Sequence, residues 1–317
     1  MKVFVTGGQG FIGSHVSDYL LSLGHDVVVL DNLFSGRNHW QKGEISPEIA
    51  KVDILDRASL SKLFSQHMPQ AVFHLAAHHY IPFCDRNPVA AYELNVGGTL
   101  NVLYEAKRVC VERIFFASTA DVYAPSPRIH SEDDAVAPFT VYGLTKSIGE
   151  TICHGAIDWG WKPDILIGRI FNAVGTRETN PHLVPEIVAQ IAHGATELKV
   201  GNLLPTRDFV DLPTQARAIV DATLANHGVE TVNIGSGVSV AVGQMIEMIL
   251  AEAGRAIRVT VDPAKVRAAE RSNLCASTIR LKRLIGYAPE PAGPGTIRSI
   301  LNEATQASAA APQLVYA

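Results

Sequence analysis

Short apolar runs at Val3–Thr6, Asp26–Leu30, Ala50–Ile54, Ala71–His74, Arg113–Ala117 and Ile165–Arg169 alternate with longer helix-compatible segments near Phe11–Leu23, Ala58–His67, Val89–Val109 and Val141–Trp159. Most of these runs are continuously apolar, as strands buried on both faces of a parallel sheet must be. The alternation predicts right-handed βαβ units and a doubly wound α/β sheet. Beyond Phe171 the pattern loosens, with helices expected at Pro185–His193, Pro213–Ala225 and Gly243–Ala253. The reading is a sheet domain over residues 1–172, with a return segment near 209–236. Residues 173–208 and 237–317 form a smaller C-terminal substrate-binding α/β part. The Ala-rich stretch Ala304–Ala317 reads as a loose terminus.

Composition removes several classes of function. With 317 residues, of which 47% are hydrophobic, the chain can bury a sizeable core. Its 27 basic residues against 31 acidic ones give a net charge of −4, so no basic field exists to grip nucleic acid. No apolar stretch is long enough to span a membrane. The chain opens directly on a strand pattern, without the stretches of a secretion signal. The four cysteines, Cys84, Cys110, Cys153 and Cys275, lie far apart with no zinc-like spacing. The expectation is a soluble, reduced, cytoplasmic protein.

The first strand runs straight into Thr6-Gly7-Gly8-Gln9-Gly10-Phe11-Ile12-Gly13, which opens the first helix. The early glycines let the backbone turn tightly and approach a pyrophosphate at the helix N-terminus, and the last allows close helix–strand packing. A lone glycine motif is weak, but the flanking strand and helix are the context it requires. Asp31 ends the second strand, where a carboxylate accepts hydrogen bonds from both ribose hydroxyls and repels a 2′-phosphate; this predicts NAD over NADP. Arg37, in the following loop, reads as a solvated surface charge. Asp53 is placed to reach the adenine amine, with Ile54 on the ring.

Tyr142 and Lys146 stand four apart at the start of a helical segment and so share a face. Alone this pair is weak, but it is the only Tyr-x-x-x-Lys in the chain and it follows the strand end at Ser118-Thr119. A phenol is a poor base at neutral pH; a neighbouring ammonium and a cationic nicotinamide would stabilise its phenolate. Thr119 is placed to hydrogen-bond the same substrate oxygen.

Together the glycine turn, Asp31-Asn32-Leu33 with Ser35-Gly36, Asp53-Ile54, His74-Leu75-Ala76-Ala77, Asn95-Val96-Gly97-Gly98-Thr99, Ser118-Thr119, Tyr142–Lys146 and Arg169-Ile170-Phe171-Asn172 resemble the extended short-chain dehydrogenase/reductases of the NAD-dependent nucleotide-sugar epimerase/dehydratase group. The resemblance covers the chain to about Pro289. It implies a Rossmann-type fold and an NAD site made by Gly7, Gly10, Phe11, Ile12, Asp31, Asn32, Ser35, Gly36, Asp53, Ile54, Leu75, Ala76, Ala77, Asn95, Tyr142 and Lys146. It further implies catalysis by Thr119, Tyr142 and Lys146. Substrate contacts are implied at His79, Thr119, Asn172, His182, Leu183, Val200, Arg207 and Arg267, the arginines clamping the diphosphate. The favoured substrate is a UDP-linked sugar, with GDP as the other option, since Lys199–Leu203 resembles GDP-mannose enzymes. The expected assembly is a homodimer pairing Val89–Val109 and Val141–Trp159.

Departures from the family pattern bear on the reaction. Ala120 stands where sugar 4,6-dehydratases of the family carry an acid, which argues against dehydration. Asp121 stands where dehydratases and UDP-glucuronate decarboxylases carry Glu, which leaves decarboxylation or proton abstraction open. A 4-epimerase is the preferred reading; decarboxylation, 4-keto reduction, dehydration and a non-catalytic NAD sensor are the rivals. The histidines His74, His78 and His79 invite a metal, but adjacent positions rarely converge on one ion, so none is expected.

Overall fold

The computed structural model describes residues 1–40, 45–266 and 271–310. A seven-stranded, all-parallel sheet organises the chain. Its strands are β1 (Lys2–Thr6), β2 (Asp26–Asp31), β3 (Glu48–Lys51), β4 (Ala71–His74), β5 (Arg113–Thr119), β6 (Asp164–Ile170) and Val229–Ile234, in the order Val229–Ile234, β6, β5, β4, β1, β2, β3. This is the Rossmann-type arrangement, in which the strand order reverses at β1 and the connections leaving β1 and β4 diverge to form a crevice beyond their carboxyl ends.

The helices are α1 (Phe11–Ser22), α2 (Arg57–His67), α3 (Ile81–Arg86), α4 (Pro88–Tyr92), α5 (Thr99–Arg108), α6 (Val141–Gly155), α7 (Leu183–Ala192), α8 (Leu212–Ala225), α9 (Val242–Ala253), α10 (Ile279–Ile285) and α11 (Pro294–Ala310). Successive strand residues point to opposite faces, and both faces are covered. Phe4, Leu30, Val72, Ile114 and Phe116 pack under Leu60 and Phe64 of α2 and Val102 and Leu103 of α5. Val3, Val5, Val29, Phe73 and Phe115 pack under Val16 and Leu20 of α1 and Ile219 of α8. Burying each such side chain contributes roughly 1.5–3 kcal/mol, which explains the continuous apolar runs. A third core joins α7, α9 and α11 through Ile187, Ile191, Met245, Ile249, Ile297 and Ile300. Helix α10, although within residues 237–317, packs on the second sheet face through Leu281.

Three segments differ from their sequence reading. The third strand ends at Lys51 rather than reaching Ile54; Val52 still donates its N–H to the Asp31 carbonyl, then the chain turns and Asp56 caps α2 by accepting from Ser59. The single helix expected over Val89–Val109 is α4 and α5 joined by a π-helical turn, Glu93–Gly98. There Asn95 is drawn inward, and Gly98 passes so close to Ile54 that a Cβ would collide with it. Finally, Ala304–Ala310 is not loose but completes α11, because Ile297, Ile300, Leu301 and Ala304 have an apolar face to dock on, and alanine is the best helix former. Residues 311–317 lie outside the described residues.

Candidate active site

A cleft of about 1140 Å³ runs along the carboxyl ends of the strands, between the sheet lobe and a second lobe built on the third core. At one end, Gly7 turns at φ +70°, and a Cβ there would stand 2.7 Å from the Ala76 nitrogen; a Cβ on Gly13 would run into the Gly7 carbonyl. Only glycine tolerates both constraints. The N-terminus of α1 therefore opens into the cleft beside Gly10, Phe11 and Ile12. Asp31 is buried, its carboxylate accepting from Gln9 N at 3.0 Å and Leu33 N at 2.8 Å. Burial pushes its pKa up, while those two backbone bonds hold it down. They also support Leu33 at φ +62°, so the loop that follows carries Asn32 and Ser35 to the cleft.

Leu75, Ala76, Ala77 and Ile54 line the same end. Gly36, Asp53 and Asn95 are not on its wall. Gly36 packs on the Gln9 backbone. Asp53 accepts from Asn32 Nδ2 at 2.9 Å and Leu55 N at 2.8 Å. Asn95 lies beneath the floor, bonded to both backbone groups of His78 and to Thr145 Oγ1.

The centre of the cleft holds Thr119, Tyr142 and Lys146. Thr140 caps α6 by accepting from Gly143 N at 3.0 Å, which fixes Tyr142 in the first turn and Lys146 one turn on. Lys146 Nζ lies 6.0 Å from the centroid of the Tyr142 ring and 5.1 Å from that of Phe116. Burial lowers the Lys146 pKa to about 8. The protein alone does not make Tyr142 a stronger acid. Burial first, and then the Asp121 carboxylate, push its phenol above the usual value, against a hydrogen bond with Thr119. The expected tuning by the lysine together with a cationic nicotinamide therefore has to overcome desolvation of the phenolate.

Ala120 is buried and apolar beside Thr119. Asp121 Oδ1 lies 3.5 Å from Arg271 Nε, and Arg271 also donates to the carbonyls of Tyr123 and Asp121. At the far end stand His79, Asn172, His182, Leu183 and Arg207. Arg207 donates to the carbonyls of Thr206 and Arg271, each at 2.9 Å. Val200 does not reach the cleft. The strand Glu197–Val200 turns Leu198 and Val200 into the third core, and Gly201 and Asn202 line the wall instead. Arg267 lies outside the described residues.

A model of the NAD dependent epimerase/dehydratase family matches residues 3–235. The chain belongs to this family. Among similar proteins, a UDP-glucose 4-epimerase of Lacticaseibacillus casei is 31% identical over 91% of this chain and 92% of its own. A GDP-6-deoxy-D-mannose reductase of Pseudomonas aeruginosa is 29% identical over 95% and 96%. A solved UDP-glucose 4-epimerase from Stenotrophomonas maltophila, with bound NAD and formylated UDP-arabinopyranose, superposes with a TM-score of 0.89 at 25% identity, covering 98% of this chain and all of that one (100%).

The residues fit the family's NAD. The Gly7–Gly13 turn leaves no room for a Cβ at Gly7 or Gly13, it opens on a helix N-terminus, and a buried carboxylate stands where ribose hydroxyls would donate. No helix among the described residues is long and apolar enough to cross a membrane.

Sequence reasoning missed Glu178, Asn202, Lys265 and Arg271, all on the cleft wall. Their signal was faint, because each is a polar residue in the irregular second half. The histidine cluster also resolves differently. His74 is a core residue bonded to Thr6 and Thr99, and His78 packs on Phe34 and Phe83. His79 instead meets Glu178 and His182 from the second lobe, their ligand atoms all within 4.8 Å of one another.

Proposed function

We propose that the chain is an NAD-dependent epimerase of a nucleotide-diphosphate sugar, acting at C4 through a transient 4-keto sugar, with UDP the favoured nucleotide. The observation that carries this reading is the convergence of Thr119, Tyr142 and Lys146 in one cleft with the apolar Ala120, rather than an acid, beside them. NAD held by Gly7, Gly10, Asp31 and Lys146 supplies the hydride acceptor and a positive charge beside the phenol. Tyr142 takes the O4 proton and later returns it. Thr119 holds O4 and the phenol in one hydrogen-bonded line, and Lys146 adds its charge from the next turn of α6. Asn172, His182 and Arg207 are assigned to the nucleotide-diphosphate side, and Arg271 joins them as the guanidinium beside Asp121.

Hydride that leaves and returns to one carbon exchanges no carbon-bound proton with solvent. Turnover of a UDP-sugar in deuterium oxide should therefore give a product free of ring deuterium, with no net NADH. Ring deuterium together with a dead Asp121→Asn enzyme would replace this reading with dehydration or decarboxylation.

A second reading, 4-keto reduction of a GDP-linked sugar, is favoured by the near full-length similarity to the Pseudomonas reductase. It predicts stoichiometric NADH consumption and stabilisation by GDP rather than UDP. We further propose a two-fold dimer through α5 and α6, supported by the exposed Leu100, Tyr104, Leu144 and Ile148 along them. A purely monomeric species in light scattering at micromolar concentration excludes it.

A further inference from the structure

We infer that His79, Glu178 and His182 form a binding site for a divalent cation of the zinc class. Two imidazoles and one carboxylate, with ligand atoms all within 4.8 Å of one another, are a donor set that zinc-class ions take, and one that hard, oxygen-seeking Mg²⁺ and Ca²⁺ do not favour. The three side chains line the cleft, so a bound ion would keep a coordination position open to it.

Each ligand is already oriented. The Nε2 of His79 accepts from the Asn180 side-chain amide at 3.0 Å. An Nε2 that accepts places the proton on Nδ1, the tautomer that metal-bound histidines keep through an outer hydrogen bond. Glu178 Oε1 is pinned by the N–H groups of Thr179 and Asn180, both at 2.9 Å, which leaves Oε2 to coordinate. His182 stands at the N-cap of α7, its ring centroid 5.9 Å from that of His79.

A neutral imidazole is the ligating form. The positive end of α7 opposes a cation there, and the Glu178 charge offsets it. Asn180 occupies the place the ion would take and must swing aside. Cation binding does not depend on which reaction the cleft performs; only the oxygen that completes the coordination rests on the proposed nucleotide-sugar reading.

The test is titration of the chelator-treated, NAD-loaded protein with Zn²⁺ by calorimetry and with Co²⁺ by visible absorption. One ion per chain is expected, with Mg²⁺ far weaker. Glu178→Gln and His182→Ala should weaken binding by more than about 100-fold, beyond the cost of losing an outer hydrogen-bond partner. Asn180→Ala should bind at least as tightly as the parent. Unchanged NAD binding and melting of each variant certify its fold. The site is overturned if the parent takes up no Zn²⁺, if Mg²⁺ binds equally well, or if both ligand variants still bind.

Discussion

Arg169 grips Glu150 with two parallel hydrogen bonds, Nε to Oε1 at 2.9 Å and Nη2 to Oε2 at 2.8 Å, with both side chains buried. Ser118 donates to the same Oε1 at 2.5 Å. Glu150 follows Tyr142 and Lys146 at four-residue intervals on α6, so all three share a face. The pair therefore locks the helix that carries Tyr142 and Lys146 to strands β5 and β6. Removing one partner leaves the other charge buried and uncompensated, which costs about 3–5 kcal/mol. Glu150→Ala should lower unfolding stability in urea by that amount, and Glu150→Leu with Arg169→Met should recover much of it. An unstable double variant would show that the geometry of the pair, rather than the unpaired charge, carries the loss.

Tyr142→Phe removes the proposed proton acceptor while leaving the ring, the α6 cap and the cofactor end intact. Turnover should fall by roughly 10²–10⁴-fold or more, with NAD still co-purifying. Loss of NAD from this variant would move Tyr142 from chemistry to cofactor retention.

The buried Asp31 is proposed to set the choice of cofactor. Asp31→Ala should weaken NAD binding and narrow its margin over NADP, because the carboxylate opposes a 2′-phosphate. Calorimetry with both nucleotides measures this, and an unchanged ratio would relocate the discrimination elsewhere.

Burial pulls the Lys146 pKa down to about 8 from an ordinary value of 10.5. Between those values the unfolded chain binds more protons, so the nucleotide-free protein should gain stability as pH rises from about 8 to 10.5. The cost of holding the charged form at pH 7 is on the order of 3 kcal/mol. Lys146→Met should remove the pH slope and raise the melting temperature while destroying activity. A slope that survives the substitution assigns the titration to another group.

The sheet, its flanking helices and the cofactor end were legible in the sequence because each is encoded locally. An apolar run must be buried on both faces, Gly7 must sit at a positive φ, and Thr140 caps the helix that presents Tyr142. The break of the helix between Tyr92 and Thr99 was not legible, since the inward turn of Asn95 depends on His78 and Thr145, 17 and 50 residues away. The far end of the cleft was least legible of all. Whether Val200 faced the cleft or the core hung on the pairing of Glu197–Val200 with Arg258–Val261. His79 lies about a hundred residues from Glu178 and His182, and only the packing of the second lobe against the sheet brings them within reach. Periodicity and turn chemistry act over a few residues and can be read along the chain; encounters between loops of different lobes are set by how buried faces dock, and that is decided only in three dimensions.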